Sequence, residues 1–310
     1  MADLLHLVDK PEGWTSHDAV ARLRGILREE RVGHAGTLDP FASGLLLVGE
    51  GRATAALAPL GLLPKRYVAR ARLGVVTDTQ DRTGVVLSKT DRLPAAETIE
   101  PALQRFRGAI RQTPPLYSAV KVKGERLYKS ARRGIEVERD DRPVHVYELA
   151  LVETSLPEIA LDLTVSRGTY VRTLAHDLGQ ALGCGAHLVS LRRLSSGPFR
   201  VEDALSCDRE SGHGESDFRR RALPLHRALG FLPHVTLTDE EASRLRHGRA
   251  PSLTRDRVIA PERSWPLPPG ETDWPLALTD GSGHVAGLAR PWNEQAEGEP
   301  VRLLRVLAAS

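Results

Sequence analysis

Cysteine is scarce in this 310-residue chain, which contains only Cys184 and Cys207. The two form no Cys-x-x-Cys pair, so they predict neither a disulfide framework nor a cysteine-rich zinc site. Long apolar runs are also missing, and none approaches the roughly 20 residues of a membrane helix. The N-terminus lacks the basic segment and cleavage site of a signal peptide. These absences argue against secreted and membrane proteins, and we expect a cytoplasmic protein with reduced thiols.

Lysine is rare as well, since only six of the 43 basic residues are lysines and all six precede residue 130. Arginine favours bidentate contacts to phosphate or carboxylate, although genomic base composition would produce the same bias. Between Arg105 and Arg142, basic side chains alternate with Tyr117 and Tyr128. This mixture suits nucleic acid, because cations meet phosphates and rings stack on bases. An ordinary solvated surface is the alternative explanation.

The chain length suggests two domains of about 100–200 residues each. Strand and helix patterns mix without regular βαβ alternation, which predicts an α+β fold with a mixed, largely antiparallel central sheet flanked by helices. The predicted strands are 4–8, 45–48, 65–76, 144–152, 159–165 and 187–194. One predicted helix begins at Thr15 or Ser16, and three more cover residues 52–60, 95–106 and 169–183.

The last third of the chain has a different pattern. Short apolar segments at 234–238, 276–279, 285–288 and 301–307 are separated by proline and glycine, which predicts a small β-rich module. The polar, glycine-containing stretch 208–217 predicts a loop or a flexible insertion. We therefore predict a first domain over residues 1–231 and a second over residues 232–310.

One carboxylate stands out in the stretch HAGTLDPFASGLLLVG, residues 34–49. Pro40 disfavours a helical conformation at Asp39, and Gly36 and Gly44 allow chain reversals on either side. The apolar run that follows predicts a buried strand. A carboxylate on a loop anchored in the core can be held rigidly for chemistry, whereas a turn-forming aspartate is the common structural alternative.

Further segments accompany this loop. They are DKPEGWTS (9–16), GHAGTLDPFASGLLLVGEGRAT (33–54), KRY (65–67), SRGTYVRTLAHDLG (166–179) and GAHLVSLRRLSSGPF (185–199). In order and spacing this set resembles the TruB family, the bacterial tRNA pseudouridine synthases that modify uridine 55 of the T-loop. The resemblance is close over residues 4–200 and looser towards the C-terminus, where the family carries a small PUA-type RNA-binding domain. It implies the pseudouridine synthase fold.

The resemblance also implies roles for individual residues. Three catalytic positions are implied: Asp39 corresponds to the central catalytic residue, Arg172 to its ion-pair partner, and Tyr67 to a residue that packs against the target base and takes part in proton transfer. Substrate-binding positions are implied at Lys10, His34, Tyr170 and Leu191. The segment 115–143 matches the thumb that closes over RNA. The implied partner is tRNA, with no cofactor, no metal and no obligate protein partner, and the chain is expected to act as a monomer.

The chemistry suits these residue types. Pseudouridine formation breaks the N1–C1′ bond, rotates the uracil and forms a C5–C1′ bond, so it needs no oxidant, metal or energy source. A carboxylate can attack C1′, attack C6 or remove the C2′ proton, and these three roles for Asp39 stay open. An adjacent arginine would keep the carboxylate ionised, although Arg172 could instead neutralise Asp177. The base must first be extruded from the folded RNA.

Three other classes compete with this interpretation. A non-catalytic RNA-binding or chaperone protein would not need Asp39, Tyr67 and Arg172 together. A base deaminase needs H-x-E and P-C-x-x-C zinc motifs, which are missing from the sequence. A guide-RNA-dependent relative of the family is disfavoured by the compact chain without long basic tails.

Overall fold

The computed structural model describes residues 3–118, 121–122, 125–126, 137–262, 265, 274–290 and 301–307. Much of the predicted thumb, including Tyr128, lies outside the described residues. The chain divides into two compact units. The first unit contains residues 1–40, 44–63 and 197–310, and the second contains residues 41–43 and 64–196. Among the described residues, no helix is long and apolar enough to cross a membrane.

Strands predominate in the described residues. They are β1 (Leu4–Lys10), β2 (Val32–Ala35), β3 (Ser43–Glu50), β4 (Lys65–Leu73), β5 (Val75–Thr77), β6 (Val86–Lys89), β7 (Gly108–Gln112), β8 (Lys121–Val122), β9 (Glu125–Arg126), β10 (Arg142–Ser155), β11 (Glu158–Val165), β12 (Ala186–Ser196), β13 (Phe199–Arg200), β14 (Leu205–Ser206), β15 (Leu223–Pro224), β16 (His234–Thr236), β17 (Leu276–Thr279), β18 (Val285–Arg290) and β19 (Arg302–Val306).

Helices are fewer and mostly short. Within the described ranges the α-helices are α1 (Ser16–Leu27), α2 (Leu57–Leu62), α3 (Ile99–Leu103), α4 (Val171–Ala181), α5 (Glu215–Arg221), α6 (Leu225–Ala228) and α7 (Asp239–Arg246). Short 3₁₀ helices occur at Gly51–Ala56, Ala96–Thr98, Gln104–Phe106, Val201–Asp203, Arg209–Ser211 and Arg255–Arg257.

In the first unit, β1 lies antiparallel to β3, and β3 lies antiparallel to β2. The apolar run in β3 is buried along almost its whole length, which explains why the sequence shows no alternation there. Helix α1 begins as predicted, because Thr15 and Asp18 form a capping box. Its residues Val20, Leu23 and Leu27 pack in one apolar cluster with strand residues.

In the second unit, the strand order is β12, β4, β11, β10, β7, and every neighbouring pair is antiparallel. Strand β4 alternates between buried and exposed residues, as its mixed sequence pattern predicts. On the exposed face, Arg66 pairs with Asp162 and Arg70 with Glu153. The predicted α+β fold class with a largely antiparallel sheet is confirmed.

Two predicted elements are interrupted in the structure. The predicted strand 65–76 breaks at Gly74, where φ is +84° and a Cβ would lie 2.6 Å from the carbonyl oxygen of Thr90. Only glycine fits that crossing. The predicted helix 95–106 is split into short pieces around Ile99–Leu103. Pro101 lies inside that piece and supplies no amide proton for a helical hydrogen bond.

The C-terminal residues form a four-stranded sheet in the order β16, β17, β18, β19, near the segments that the sequence predicts. They have an apolar cluster of their own, which includes Val235, Leu245 and Leu278. Helix α7 was not predicted from the sequence. Its start carries a capping box formed by Thr238 and Glu241, which was the available signal. Arg257 donates two hydrogen bonds to the Glu241 carboxylate, and this pairing lowers the pKa of Glu241 to about 2. The domain boundary at residue 232 stays a prediction.

A buried polar network connects β1, β3 and α5 of the first unit. His6 Nε2 lies 2.8 Å from Glu50 Oε2, and both side chains are 1% exposed. Arg219 donates to Glu50 Oε1 and Glu215 Oε1 at 2.8 Å each. Burial lowers the pKa of His6 below its ordinary value of 6.5, although Glu50 acts in the opposite direction. His6 is therefore neutral in the native protein at neutral pH.

This network predicts a specific loss of stability in acid. Unfolded His6 binds a proton below pH 6.5, whereas folded His6 does so only at lower pH, so the free energy of unfolding falls as the pH drops below 6.5. His6→Gln keeps an amide donor for Glu50 but cannot titrate. Urea unfolding at pH 7.5 and pH 5.5 should show a larger stability loss in the wild type than in His6→Gln. Equal losses in the two proteins would contradict this role of His6.

Candidate functional site

The loop that carries Asp39 is fixed on both sides of that residue by the turn before α1 and by the first residue of α1. Buried Ser16 accepts a hydrogen bond from the Leu38 amide at 2.9 Å and lies 3.2 Å from the Leu38 carbonyl oxygen, to which it donates. The Gly13 amide donates to the Pro40 carbonyl oxygen at 2.8 Å. The residues on either side of Asp39 are thus tied to one neighbouring loop, which fixes the backbone from which this half-buried carboxylate projects.

Lys10 and His34 lie in the same unit. Lys10 is fully buried, and its Nζ donates to the carbonyl oxygens of Pro11 at 2.8 Å and Trp14 at 2.6 Å. These bonds fix the turn that leads to Ser16. His34 lies on β2 rather than in a loop, paired in register with Val48 of β3. Its half-buried side chain is therefore placed by the sheet.

Tyr67 and Leu191 lie on neighbouring strands of the second unit. Tyr67 on β4 is paired with Arg193 on β12, and Leu191 is paired with Ala69. Side chains two residues apart point to the same face of a sheet, and both Tyr67 and Leu191 are buried. The structure thus places a phenol ring and a branched aliphatic side chain diagonally across one strand pair, within reach of each other.

Arg172 lies in the first turn of α4 and is 3% exposed. Its Nη1 donates to the Thr79 carbonyl oxygen at 2.8 Å, and its Nη2 donates to the Tyr117 carbonyl oxygen at 2.9 Å. Nη1 also lies 3.5 Å from Asp81 Oδ2. A buried guanidinium needs such partners, because an unpaired charge is costly to bury. Its pairing with Asp39, which lies in the other unit, stays a prediction.

Asp81 is a residue that the sequence analysis did not single out. The carboxylate is buried and accepts hydrogen bonds from the Thr79 hydroxyl at 2.8 Å and the Thr83 amide at 2.9 Å. Asp177, the alternative partner for Arg172, has its pKa raised chiefly by burial, while the neighbouring His176 acts in the opposite direction. The pattern Thr79-x-Asp81-x-Thr83 was the available signal, since two threonines that flank an aspartate can orient its carboxylate.

Gln112 is a second residue that the sequence analysis missed. Its Oε1 accepts from the Tyr170 amide at 3.0 Å, and its Nε2 donates to the Tyr170 carbonyl oxygen at 3.2 Å. Tyr170 directly precedes α4, and no side chain of its own caps that helix. The buried Gln112 amide therefore fixes the backbone from which Tyr170 and Arg172 project.

Ligands for a metal are not assembled among the described residues. No group of three or more His, Cys, Asp or Glu side chains comes close enough there to hold an ion. Cys207 is buried and its pKa is raised to about 11, chiefly by burial. Its thiol therefore stays protonated at neutral pH and is a poor nucleophile.

Two family models match consecutive parts of the chain. Residues 24–171 match the TruB family pseudouridylate synthase N-terminal domain, and residues 172–229 match the tRNA pseudouridylate synthase B C-terminal domain. The tRNA pseudouridine synthase B of Geobacter sulfurreducens is 47% identical over 79% of this chain and 81% of its own. That of Syntrophobacter fumaroxidans is 41% identical over 97% of this chain and 96% of its own.

Solved structures show the same fold. A chain in the crystal structure of a Cbf5-Nop10-Gar1 complex matches 98% of this chain with a TM-score of 0.73 and 29% identity, over 85% of its own length. A chain in an H/ACA RNP bound to a substrate RNA containing 2′-deoxyuridine matches 99% with a TM-score of 0.70 and 26% identity, also over 85% of its own length.

The Asp81–Arg172 pair yields a stability prediction. Asp81→Asn keeps an oxygen for the Thr83 amide but removes the charge beside a buried guanidinium, which should cost about 3 kcal/mol of unfolding free energy. Asp162→Asn makes the same change in the exposed pair with Arg66 and should cost less than about 1 kcal/mol. Urea unfolding of the two variants measures both values. Similar small losses would show that Asp81 does not stabilise the buried charge.

Proposed function

The chain belongs to the TruB family of pseudouridylate synthases, and we propose that it isomerises uridine 55 in the T-loop of tRNA to pseudouridine. The main support is the relative named tRNA pseudouridine synthase B that aligns over 97% of this chain at 41% identity. The rigid loop around Asp39 supports the same conclusion, because a reacting carboxylate must be held in a fixed geometry.

In this proposal Asp39 performs the chemistry and Arg172 keeps it ionised and oriented. The two carbonyl acceptors and the Asp81 carboxylate hold the Arg172 guanidinium in one plane. A guanidinium fixed in this way can orient a carboxylate without a reorganisation cost at the moment of reaction. Asp81 thereby acts on Asp39 only through Arg172.

The remaining proposed site residues bind the extruded nucleotide. Tyr67 offers an apolar ring face to the uracil, and Leu191 on the neighbouring strand adds an aliphatic wall. Tyr170 contacts the extruded nucleotide, and His34 on β2 stacks where the nucleotide leaves the T-loop. Lys10 contributes through the turn that it fixes, because its ammonium is buried against carbonyl oxygens.

The proposed RNA surface has two parts, namely the segment 115–143 and the module 232–310. The module presents exposed arginines at positions that include Arg290, Arg302 and Arg305, which suit contacts to phosphates. We also propose that the enzyme acts as a monomer in the cytoplasm, where tRNA matures, and without a bound cofactor or metal. The protein components named with the solved structural neighbours belong to those complexes.

The catalytic assignment predicts two distinct kinetic defects in single-turnover assays on an unmodified tRNA transcript. Asp39→Asn removes the charge, the basicity and the nucleophilic oxygen, so turnover should become undetectable while RNA affinity is kept. Arg172→Lys keeps a charge but loses the planar guanidinium, so it should bind tRNA normally and react much more slowly. Asp162→Asn, at an exposed ion pair, is the control and should match the wild type. A folded Asp39→Asn protein with wild-type rates would refute the assignment.

The second part of the RNA surface predicts a pure binding defect. The double variant Arg302→Ala/Arg305→Ala on β19 should weaken tRNA binding and lower the slope of log affinity against log salt by about 1–2. The single-turnover rate at saturating tRNA should stay unchanged. Arg66→Ala/Arg70→Ala removes two arginines that already face carboxylates and is the matched control. A slower saturated rate with unchanged affinity would assign the module to catalysis instead.

A further inference from the structure

Gln112 holds an unusual position for a buried amide side chain. It is the last residue of β7, is 3% exposed, and bonds both the amide and the carbonyl oxygen of Tyr170. An amide that donates and accepts towards one residue reproduces the pairing of a strand neighbour. The planar amide of Gln112 bonds both the backbone N–H and the carbonyl oxygen of Tyr170. It therefore fixes the position of the Tyr170 backbone as well as satisfying these two polar atoms.

The other side of Gln112 leads into the segment proposed to bind RNA. Its neighbour Thr113 donates to Asp141 Oδ1 at 2.5 Å, and Arg139 donates to the Pro114 carbonyl oxygen at 2.7 Å. Gln112 itself pairs in register with Arg142, the first residue of β10. The two ends of the segment are thus tied together directly at Gln112.

A second contact connects the same segment to α4. Tyr117 accepts a hydrogen bond from Arg172 through its carbonyl oxygen and donates a longer one, 3.4 Å, from its hydroxyl group to Asp78 Oδ2. The base of the segment therefore meets α4 at Tyr170 and at Arg172. A displacement of this base would move the start of the helix, and with it the guanidinium of Arg172.

We propose that Gln112 is a positioning residue that couples the base of the RNA-binding segment to Tyr170 and Arg172. The inference rests on the proposed function for its kinetic consequence and on the hydrogen bonds alone for its structural one. RNA that binds the segment acts on residues 113–141. The hydrogen bonds of the Gln112 side chain then hold the Tyr170 backbone, and with it the start of α4, in a fixed position. Gln112 acts through Tyr170 and Arg172 and touches no reacting atom.

The test compares two substitutions of Gln112 with one control. Gln112→Met keeps the size of the side chain and removes both hydrogen bonds, whereas Gln112→Glu keeps an acceptor for the Tyr170 amide. Gln104→Met makes the same change at an exposed glutamine whose side chain donates to Glu100. Single-turnover rates at saturating tRNA, tRNA affinities and urea unfolding are measured for all of them.

Gln112→Met should lower the saturated single-turnover rate about 10- to 100-fold, because a small displacement of a positioned group has that effect. Its tRNA affinity should stay within about 3-fold of the wild type, since phosphate contacts dominate affinity. Gln112→Glu should restore part of the rate, and Gln104→Met should match the wild type. A Gln112→Met protein that is less stable but reacts at the wild-type rate would reduce Gln112 to a structural residue. If Gln112→Met does not fold, the double variant Gln112→Glu/Thr113→Val is measured in its place. It lacks the Gln112 donor to Tyr170 and the Thr113 donor to Asp141. A wild-type rate in this variant would overturn the proposal.

Hydrogen exchange at the Tyr170 amide separates this inference from the proposed function. The amide is protected by Gln112 Oε1, so Gln112→Met should accelerate its exchange in the free protein, and Gln112→Glu should do so less. A wild-type enzyme without activity on tRNA would defeat the proposed function while leaving this exchange result intact. Unchanged exchange in Gln112→Met would defeat the coupling even in an active enzyme.

Discussion

The buried guanidinium of Arg172 is a strong constraint on the second unit. An arginine cannot shed its charge, so a buried one has to be surrounded by acceptors. The chain supplies them from two separate places, the turn at Thr79 and Asp81 and the backbone of Tyr117. The threonines around Asp81 then hold the carboxylate that faces the guanidinium. Loop conformation, helix position and the start of the segment 115–143 are all tied to this one charge.

The backbone around the proposed reacting groups is held by a recurring device. Ser16 contacts both polar groups of Leu38, next to Asp39, and Gln112 contacts both polar groups of Tyr170, close to Arg172. Each is a buried side chain that both donates and accepts a hydrogen bond. Fixing a backbone in this way sets the position from which the functional side chain projects, which is what a preorganised site requires.

Much of the architecture follows from local sequence. The continuous apolar run of β3, the capping box of α1 and the alternation of β4 each identify their element without knowledge of the fold. The loop around Asp39 is also readable, because Pro40 and the flanking glycines restrict its conformation. The family resemblance supplied the roles that these local patterns could not.

Contacts across long sequence separations were not readable from the sequence. Gln112 and Tyr170 lie 58 residues apart, and Thr79 and Arg172 lie 93 apart, so no local pattern connects them. Similarly, the break at Gly74 follows from the approach of Thr90, a contact that exists only after folding. Buried polar partners of this kind depend on the finished tertiary structure, and this is where the sequence analysis missed Asp81 and Gln112.

Mapping pseudouridine at nucleotide resolution, in an unmodified tRNA transcript incubated with the purified protein, tests the central claim most directly. The account predicts a single modified position, uridine 55 of the T-loop, formed without added nucleotide or redox cofactor, and no product when that uridine is replaced by cytidine. A transcript that stays unmodified with a folded, tRNA-binding protein, or one that is modified only outside the T-loop, would contradict it.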